Sequence, residues 1–457
     1  MKIYLKDIKE RYPEFEIRNY DEEAFFVGFN HDSRCLLENE IYVPIKGERF
    51  DGHDFIVEAL EKGASMSICE KDSVQKIDGV SKPIILVDSI EEGLQKIVNY
   101  SISDITAPII AITGSTGKTT TKQMLASILG FKHSVLYADH FNTVWGNAML
   151  LSRYEDEDFV ILECAMDRKG EIAWHANTFD PDIGIILNIG HVHAEKLGGI
   201  DEIYQEKKNL ADYLDRSGKP LIINADDERL VQLKDTFKSE LLTYGKGEDV
   251  MFKIYDISVG ESGTDFNFGF GNSWYSVHLN AFGEGVAYDA MAAIIAGYKL
   301  GLNIDDCIRG ILNFSPNNGR FEVEKYGSNV FLVNDAYNAN PSSMNMSLET
   351  FTTMYPKDLY YRIVVLGDMK ELGDVSERMH KELGEKVKQY EFNQVYYVGD
   401  MFSIFGVGKK LENADEVSTM LTEDLKRVGD RKVAILLKAS NSIGLSKIPE
   451  YLKKLGL

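Results

Sequence analysis

Hydrophobic positions along this chain follow three successive patterns. Early on they form short runs: residues 41–45 and 83–87 have the length and composition of strands, and the spacing over residues 57–63 and 90–102 predicts two short helices. Residues 103–108 read as a linker. From residue 108 the runs become continuously apolar, at 108–113, 159–162 and 185–187, too apolar for edge strands. Helical stretches separate them, one opening at Thr119 and another covering 203–214. Strands alternating with helices predict βαβ units and a parallel sheet. Residues 250–279 alternate polar and apolar positions between Gly and Asn turns, which predicts a small antiparallel meander, and 287–300 reads as a helix of small residues. A last α/β unit begins near Gly319, with strands predicted at 330–333, 363–366, 394–398 and 433–437 and helices between them. No fixed-period repeat is present.

A length of 457 residues supports about three domains. The pattern divides them at 1–103, 104–316 and 317–457, all α/β, the central one a parallel-sheet domain and the last Rossmann-like. Fifty basic against 72 acidic residues give a net charge of −22. That charge excludes nucleic acid and anionic membrane surfaces as partners, but not a small anion held by backbone N–H groups. Four cysteines, Cys35, Cys69, Cys164 and Cys307, stand far apart without a CxxC pair, and read as buried free thiols in a reducing cytosol. The first six residues lack the apolar core of a signal peptide, and no apolar run approaches the ~20 residues of a membrane span. The expectation is a cytoplasmic protein without membrane insertion, with a monomer as the default.

The strongest local chemistry is Gly114-Ser115-Thr116-Gly117-Lys118-Thr119-Thr120, directly after a buried strand and opening a helix. That is the context of a phosphate loop: glycines turn N–H groups inward, and the helix N-terminus adds partial positive charge. Lys118 can reach the β/γ-phosphates and Thr119 can hold Mg²⁺. The spacing G-x-x-G-K-T is two residues shorter than the common loop. Glu163 closes the run 159–162, where a carboxylate can ligate Mg²⁺ or simply be solvated. His191 and His193 lie two apart after another apolar run, without the Cys pair or HExxH spacing that zinc would require. Lys207, taken alone, is a surface lysine.

Together these motifs resemble the Mur ligases, ATP-dependent amide-forming enzymes of cell-wall precursor synthesis. The run 113–121 resembles the family's TG(T/S)NGKTTT loop. Asp32-Ser33-Arg34, Lys46-Gly47 and Asp51-Gly52-His53-Asp54-Phe55 are similar to its N-terminal nucleotide-sugar domain. Asp335-Ala336-Tyr337-Asn338-Ala339-Asn340-Pro341-Ser342-Ser343-Met344 and Gly367-Asp368-Met369-Lys370-Glu371-Leu372-Gly373, with His380, are similar to the branch that completes the pentapeptide, and the DNPR motif of the diaminopimelate-adding branch is absent.

The resemblance implies a ligase that adds D-alanyl-D-alanine to UDP-N-acetylmuramoyl-tripeptide through an acyl phosphate, using ATP and Mg²⁺. It implies that Lys118 meets the γ-phosphate. Thr119, Glu163, His193 and a carbamylated Lys207 would serve Mg²⁺, with Lys118, Lys207 and His193 as the catalytic set. Gly114, Ser115, Thr116, Gly117, Thr120, Asp289, Arg320 and Asp335 would hold the nucleotide. Ser33, Arg34, Lys46, Asn142, Thr143, Asn338, Asn340 and Lys438 would meet the substrates. Domain closure would keep water from the acyl phosphate.

The chain departs from the family at several points. Thr116 stands for the loop asparagine, and Phe141-Asn142-Thr143-Val144-Trp145-Gly146 for YNNxIG. Asp289 stands for an adenine-contacting asparagine and lacks its N–H₂ donor, so an altered purine contact is expected. Lys438-Ala439-Ser440-Asn441 replaces KGSR, removing an arginine near the incoming amine. A divergent amide ligase with another acceptor or amine, and a non-catalytic nucleotide-binding relative, are the alternatives. A P-loop GTPase or kinase lacks support, since no base-recognition motif is found.

Overall fold

The computed structural model describes residues 2–47, 50–191, 197–316 and 319–454. The chain packs as two compact units. One holds residues through Ile112 with Lys132–Gly184 and Asn209–Pro220; the other holds Thr113–Phe131, Ile185–Lys208 and the chain from Leu221 onward.

Near the N-terminus a five-stranded sheet runs in the order Glu16–Arg18, Ile84–Val87, Met66–Glu70, Glu40–Tyr42, Gly28–Asn30, antiparallel only at its first pairing. The helix Ile90–Ser101 begins on a Ser89 side chain that accepts from Glu91 N–H, and buries Ile90, Leu94, Ile97 and Val98 on one stripe.

A nine-stranded sheet follows in the order Ser273–Leu279, Gly263–Phe270, Phe252–Gly260, Leu241–Gly245, Leu221–Asn224, Ile183–Ile186, Ile109–Thr113, Phe159–Glu163, Val135–Leu136. The strand Ile109–Thr113 is buried along its whole length, which is why it reads as an unbroken apolar run. The meander expected over 250–279 is present as three antiparallel strands, but it is not free-standing. Phe252–Gly260 pairs parallel to Leu241–Gly245 and so extends the sheet. Leu221–Asn224 and Leu241–Gly245 are not among the predicted strands. Each is a four- or five-residue run, too short for periodicity to separate strand from helix.

The C-terminal sheet has six strands, Glu322–Tyr326, Val330–Asn334, Val433–Lys438, Tyr361–Gly367, Gln394–Val398, Lys409–Leu411, all parallel after the first pairing. Its two faces bury separate apolar clusters, one including Leu348, Phe351 and Leu383 from covering helices, the other Val417, Leu421 and Ile448. The last strand in sequence thus lies between the second and third in space, and the loops after all three open at one end of the sheet.

Two sequence expectations fail on burial. Cys35 is exposed, whereas the other three cysteines are buried as expected, because it lies in the turn region after Gly28–Asn30. Lys207 is 1% exposed rather than a surface lysine. On the helix Ile200–Arg216 it falls in line with Ile203, Leu210, Ala211 and Leu214, all buried. Among the described residues no helix is long and apolar enough to cross a membrane.

Asn340 begins the helix Pro341–Met354. Its side chain accepts from Ser343 N–H at 2.8 Å, while the Ser343 hydroxyl closes a reciprocal capping box. Asn340→Ala is expected to remove about 1 kcal/mol of stability, seen as a lower denaturant midpoint at unchanged slope. An unchanged midpoint would show that the side chain is not serving the helix.

Candidate active site

The turn after Ile109–Thr113 leads into the helix Lys118–Leu129 through Gly117, whose φ of +83° favours glycine. A Cβ there would also come within 2.1 Å of Asp289 Oδ1. The first N–H groups of such a helix have no partner inside it, which makes this end a natural anion cradle. A side chain not singled out from sequence braces the turn. Asn188 Oδ1 accepts from Ser115 N–H at 3.0 Å and Thr116 N–H at 2.9 Å, and its Nδ2 donates to Thr116 O at 3.2 Å. Ser115 Oγ donates to Gly190 O at 3.0 Å and accepts from Gly190 N–H at 2.8 Å. Asp227 extends the brace by accepting from Ile189 N–H at 2.7 Å. Ser115 and Thr116, expected at the nucleotide, thus spend their N–H groups on Asn188. Lys118 Nζ donates back to Gly114 O at 2.8 Å, so the ammonium is folded over the turn.

Asp289 lies on the helix Glu284–Lys299, buried against this turn. Burial pushes its carboxyl well above the ordinary carboxylate range, and the Thr121 hydroxyl and the Arg320 charge oppose that shift without reversing it. The shift favours the protonated form of the carboxyl over the charged one. The side chain expected to alter the purine contact thus packs against the phosphate turn at Gly117.

Three motif loops meet at the carboxyl ends of adjacent strands in the C-terminal sheet. Asp335 follows Val330–Asn334. Its Oδ1 accepts from Phe321 N–H at 3.1 Å, and its Oδ2 accepts from the Ser347 hydroxyl and pairs with Lys438 Nζ at 2.7 Å. Lys438 also donates to Asn338 O at 3.0 Å. Burial pulls the pKa of Lys438 down, with Asp335 acting against it. The ammonium expected at the substrate is therefore spent inside the protein. Arg320 lies over the Tyr337 ring at 4.1 Å. A Cβ on Gly190 would come 3.5 Å from Ser115 Cβ and 3.9 Å from Ser342 Cβ, so the start of Pro341–Met354 borders the phosphate turn.

The second motif is structural. Asp368, buried, accepts from Lys370 Nζ at 2.9 Å, Tyr397 OH at 2.9 Å, Asp400 N–H at 3.1 Å and Met401 N–H at 3.2 Å. These donors hold its pKa below the usual range despite burial. His380 Nε2 accepts from Met369 N–H at 3.0 Å, which leaves Nδ1–H for Ser376 O at 2.8 Å and defines a neutral ring. Ser440 Oγ accepts from Lys370 N–H at 3.0 Å, tying the third loop to the second.

In the other unit, Arg34 is exposed and grips Asp32 through two guanidinium nitrogens, at 2.9 and 2.8 Å, which holds the Asp32 carboxyl well below its usual range. Ser33 beside it is buried. Lys46 pairs with Glu70, and His53 Nε2 accepts from Glu70 N–H at 3.2 Å. Thr143 caps the helix Val144–Leu151 by accepting from Gly146 N–H at 3.1 Å, and Asn142 O accepts from Ala165 N–H at 2.9 Å. The Thr143 hydroxyl oxygen and the Asn142 backbone carbonyl are thus engaged within the protein. Glu163 is 4% exposed and pairs in register with Ile112; Asn147 Nδ2 donates to its carbonyl at 3.0 Å. A buried carboxylate at a strand end and a threonine hydroxyl are hard oxygen donors that suit Mg²⁺. His193 lies outside the described residues.

Three family models match the chain: "Mur ligase family, catalytic domain" over residues 26–101, "Mur ligase middle domain" over 112–297 and "Mur ligase, glutamate ligase domain" over 319–441. Among curated proteins, the UDP-N-acetylmuramoyl-tripeptide–D-alanyl-D-alanine ligase of Bacillus subtilis is 31% identical over 438 residues, covering 93% of both chains. That of Escherichia coli is 28% identical over 433 residues, again covering 93% of each. Among solved structures, MurF from Thermotoga maritima in complex with ADP superposes with a TM-score of 0.82 at 28% identity, covering 93% of this chain and 97% of that one. MurF from Acinetobacter baumannii superposes with a TM-score of 0.90 at 22% identity over 99% of both, a likeness of fold.

Two predictions come from this geometry. Because the Asp289 pKa is raised in the folded state, unfolding ionises the group above about pH 4. Its contribution therefore opposes folding increasingly as pH rises from there towards the folded value. Asp289→Asn is expected to raise the denaturant midpoint at pH 8 and to change it little at pH 4; an equal effect at both would refute a raised pKa. Asn188→Ala removes three contacts of the turn and is expected to weaken nucleotide binding by about tenfold or more, measured by calorimetry with ADP. Wild-type affinity would show that the brace is dispensable.

Proposed function

Because this chain belongs to the Mur ligase family, we propose that it is an ATP-dependent ligase adding D-alanyl-D-alanine to UDP-N-acetylmuramoyl-tripeptide in peptidoglycan precursor synthesis. The observation that carries this reading is the full-length likeness to ligases bearing that name. In the proposed division of labour, residues 1–103 take the UDP-linked acceptor, 104–316 the ATP and 317–457 the amine.

The acceptor carboxylate oxygen attacks the γ-phosphorus of ATP. The bond to the bridging oxygen breaks, ADP leaves, and an acyl phosphate remains. The amine nitrogen of the dipeptide then attacks the acyl carbon, the tetrahedral adduct expels phosphate, and the nitrogen loses its proton. The first step brings two anions together, so its barrier is electrostatic. Lys118 and the first-turn N–H groups of Lys118–Leu129 would bear on the γ-phosphate. Asn188 would keep the turn from adjusting its shape as charge moves. Thr119 and Glu163, with Lys207 if carbamylated, carry the oxygen donors for Mg²⁺, and such an ion supplies charge neutralisation at the transferred phosphoryl group. Arg320 and Asp335 are assigned to the nucleotide and Asn338 to the amine end.

Asn441 in place of the family arginine makes the amine the open part of the specificity. Release of ADP should require UDP-N-acetylmuramoyl-tripeptide and D-alanyl-D-alanine together, and a panel of D-amino acids and dipeptides should rank that dipeptide first. Lys118→Ala is expected to lower the rate by about 10²–10³-fold. Substantial amine-dependent turnover in that variant would sink the assignment of the loop, and preference for another amine would sink that of the substrate.

A further inference from the structure

Lys438 ends the strand Val433–Lys438, which lies between Val330–Asn334 and Tyr361–Gly367. Its neighbours in the sheet carry the two longest motifs of the C-terminal region, and it stands at the centre of their loops. Its side chain is only 5% exposed and that of Asp335 14%. The ammonium reaches Asp335 Oδ2 at 2.7 Å and Asn338 O at 3.0 Å. One lysine thus grips both ends of the segment 335–338. Two residues on, Ser440 holds the loop after Tyr361–Gly367 through Lys370 N–H at 3.0 Å and donates its own N–H to Asp368 O at 3.2 Å.

A buried ammonium with a carboxylate and a carbonyl as partners is poorly placed to bind an incoming substrate carboxylate, because it would have to abandon Asp335 as an unpaired buried charge. It is well placed to fix where Asp335 points. Asp335 in turn fixes the backbone at Phe321, next to Arg320, by accepting its N–H at 3.1 Å. Lys438, Asp335 and the Arg320–Phe321 backbone therefore form one chain of contacts.

We propose that Lys438 is a positioning residue for the nucleotide side of the site, acting through Asp335 and the 335–338 segment, and not a contact for the amine. This rests on the reading of Arg320 and Asp335 as nucleotide-facing. The step it affects is ATP binding, without a proton or group passing through Lys438.

The test uses the full chain with ADP binding by calorimetry, and with KM for ATP and for D-alanyl-D-alanine measured separately. Lys438→Met and Asp335→Asn should each weaken ADP binding and raise KM for ATP by about tenfold, the scale for contacting residues. Both should leave KM for the dipeptide within about twofold. The double variant should be no worse than either single one, since both remove the same unit. It also keeps the site free of a lone buried charge, so it reports even where Lys438→Met alone fails to fold. Three results would overturn the proposal: a raised KM for the dipeptide with unchanged ADP affinity, multiplicative losses in the double variant, or lowered stability with wild-type ADP affinity in all three. Failure of the wild-type protein to ligate this dipeptide while the ADP results hold would reject the substrate reading and leave the positioning role intact.

Discussion

Gathering phosphate oxygens on a chain of net charge −22 requires backbone dipoles aimed at one point. The turn 114–117 depends on this constraint. Asn188 holds the Ser115 and Thr116 amides, and the helix Lys118–Leu129 offers its N-terminus beyond them. Beneath the turn Asp289 is buried, which raises its pKa well above the ordinary carboxylate range. Gly117 makes this approach possible, since any side chain there would strike Asp289.

A different device operates in the C-terminal sheet, where charge is kept and paired. Asp335 with Lys438, and Asp368 with Lys370, each anchor a loop at a strand end, and Ser440 links the two. The Asp335–Lys438 pair is largely buried, and pairs of this kind contribute little net stability against apolar replacements, but removing one partner is strongly unfavourable. Such pairs therefore define loop geometry. The neutral His380, accepting from Met369 N–H, completes the same pattern without a charge.

Continuous apolar runs located the parallel strands because strands covered on both faces cannot hide a polar position. The phosphate turn was legible because its requirements are local: a glycine at positive φ, a lysine and a helix start. Lys207 shows a signal present but overruled by residue type. Its spacing from Ile203, Leu210 and Leu214 already placed it on a buried stripe, although lysines usually face water. Thr143 and Asn340 show the reverse, since polar residues before helices are caps before they are ligands.

By itself, then, the sequence determined the α/β class, the strand runs, the phosphate turn and the kinship of its motifs, all of which rest on neighbours within a few residues. Tertiary structure alone decided that Asn188 braces a turn some seventy positions away in the chain, that burial raises the Asp289 pKa, and that Lys438 meets Asp335 a hundred residues earlier. The reason is physical. Hydrogen-bond partners and local dielectric are set by whatever packs alongside, and packing joins segments whose separation in sequence carries no record of their contact.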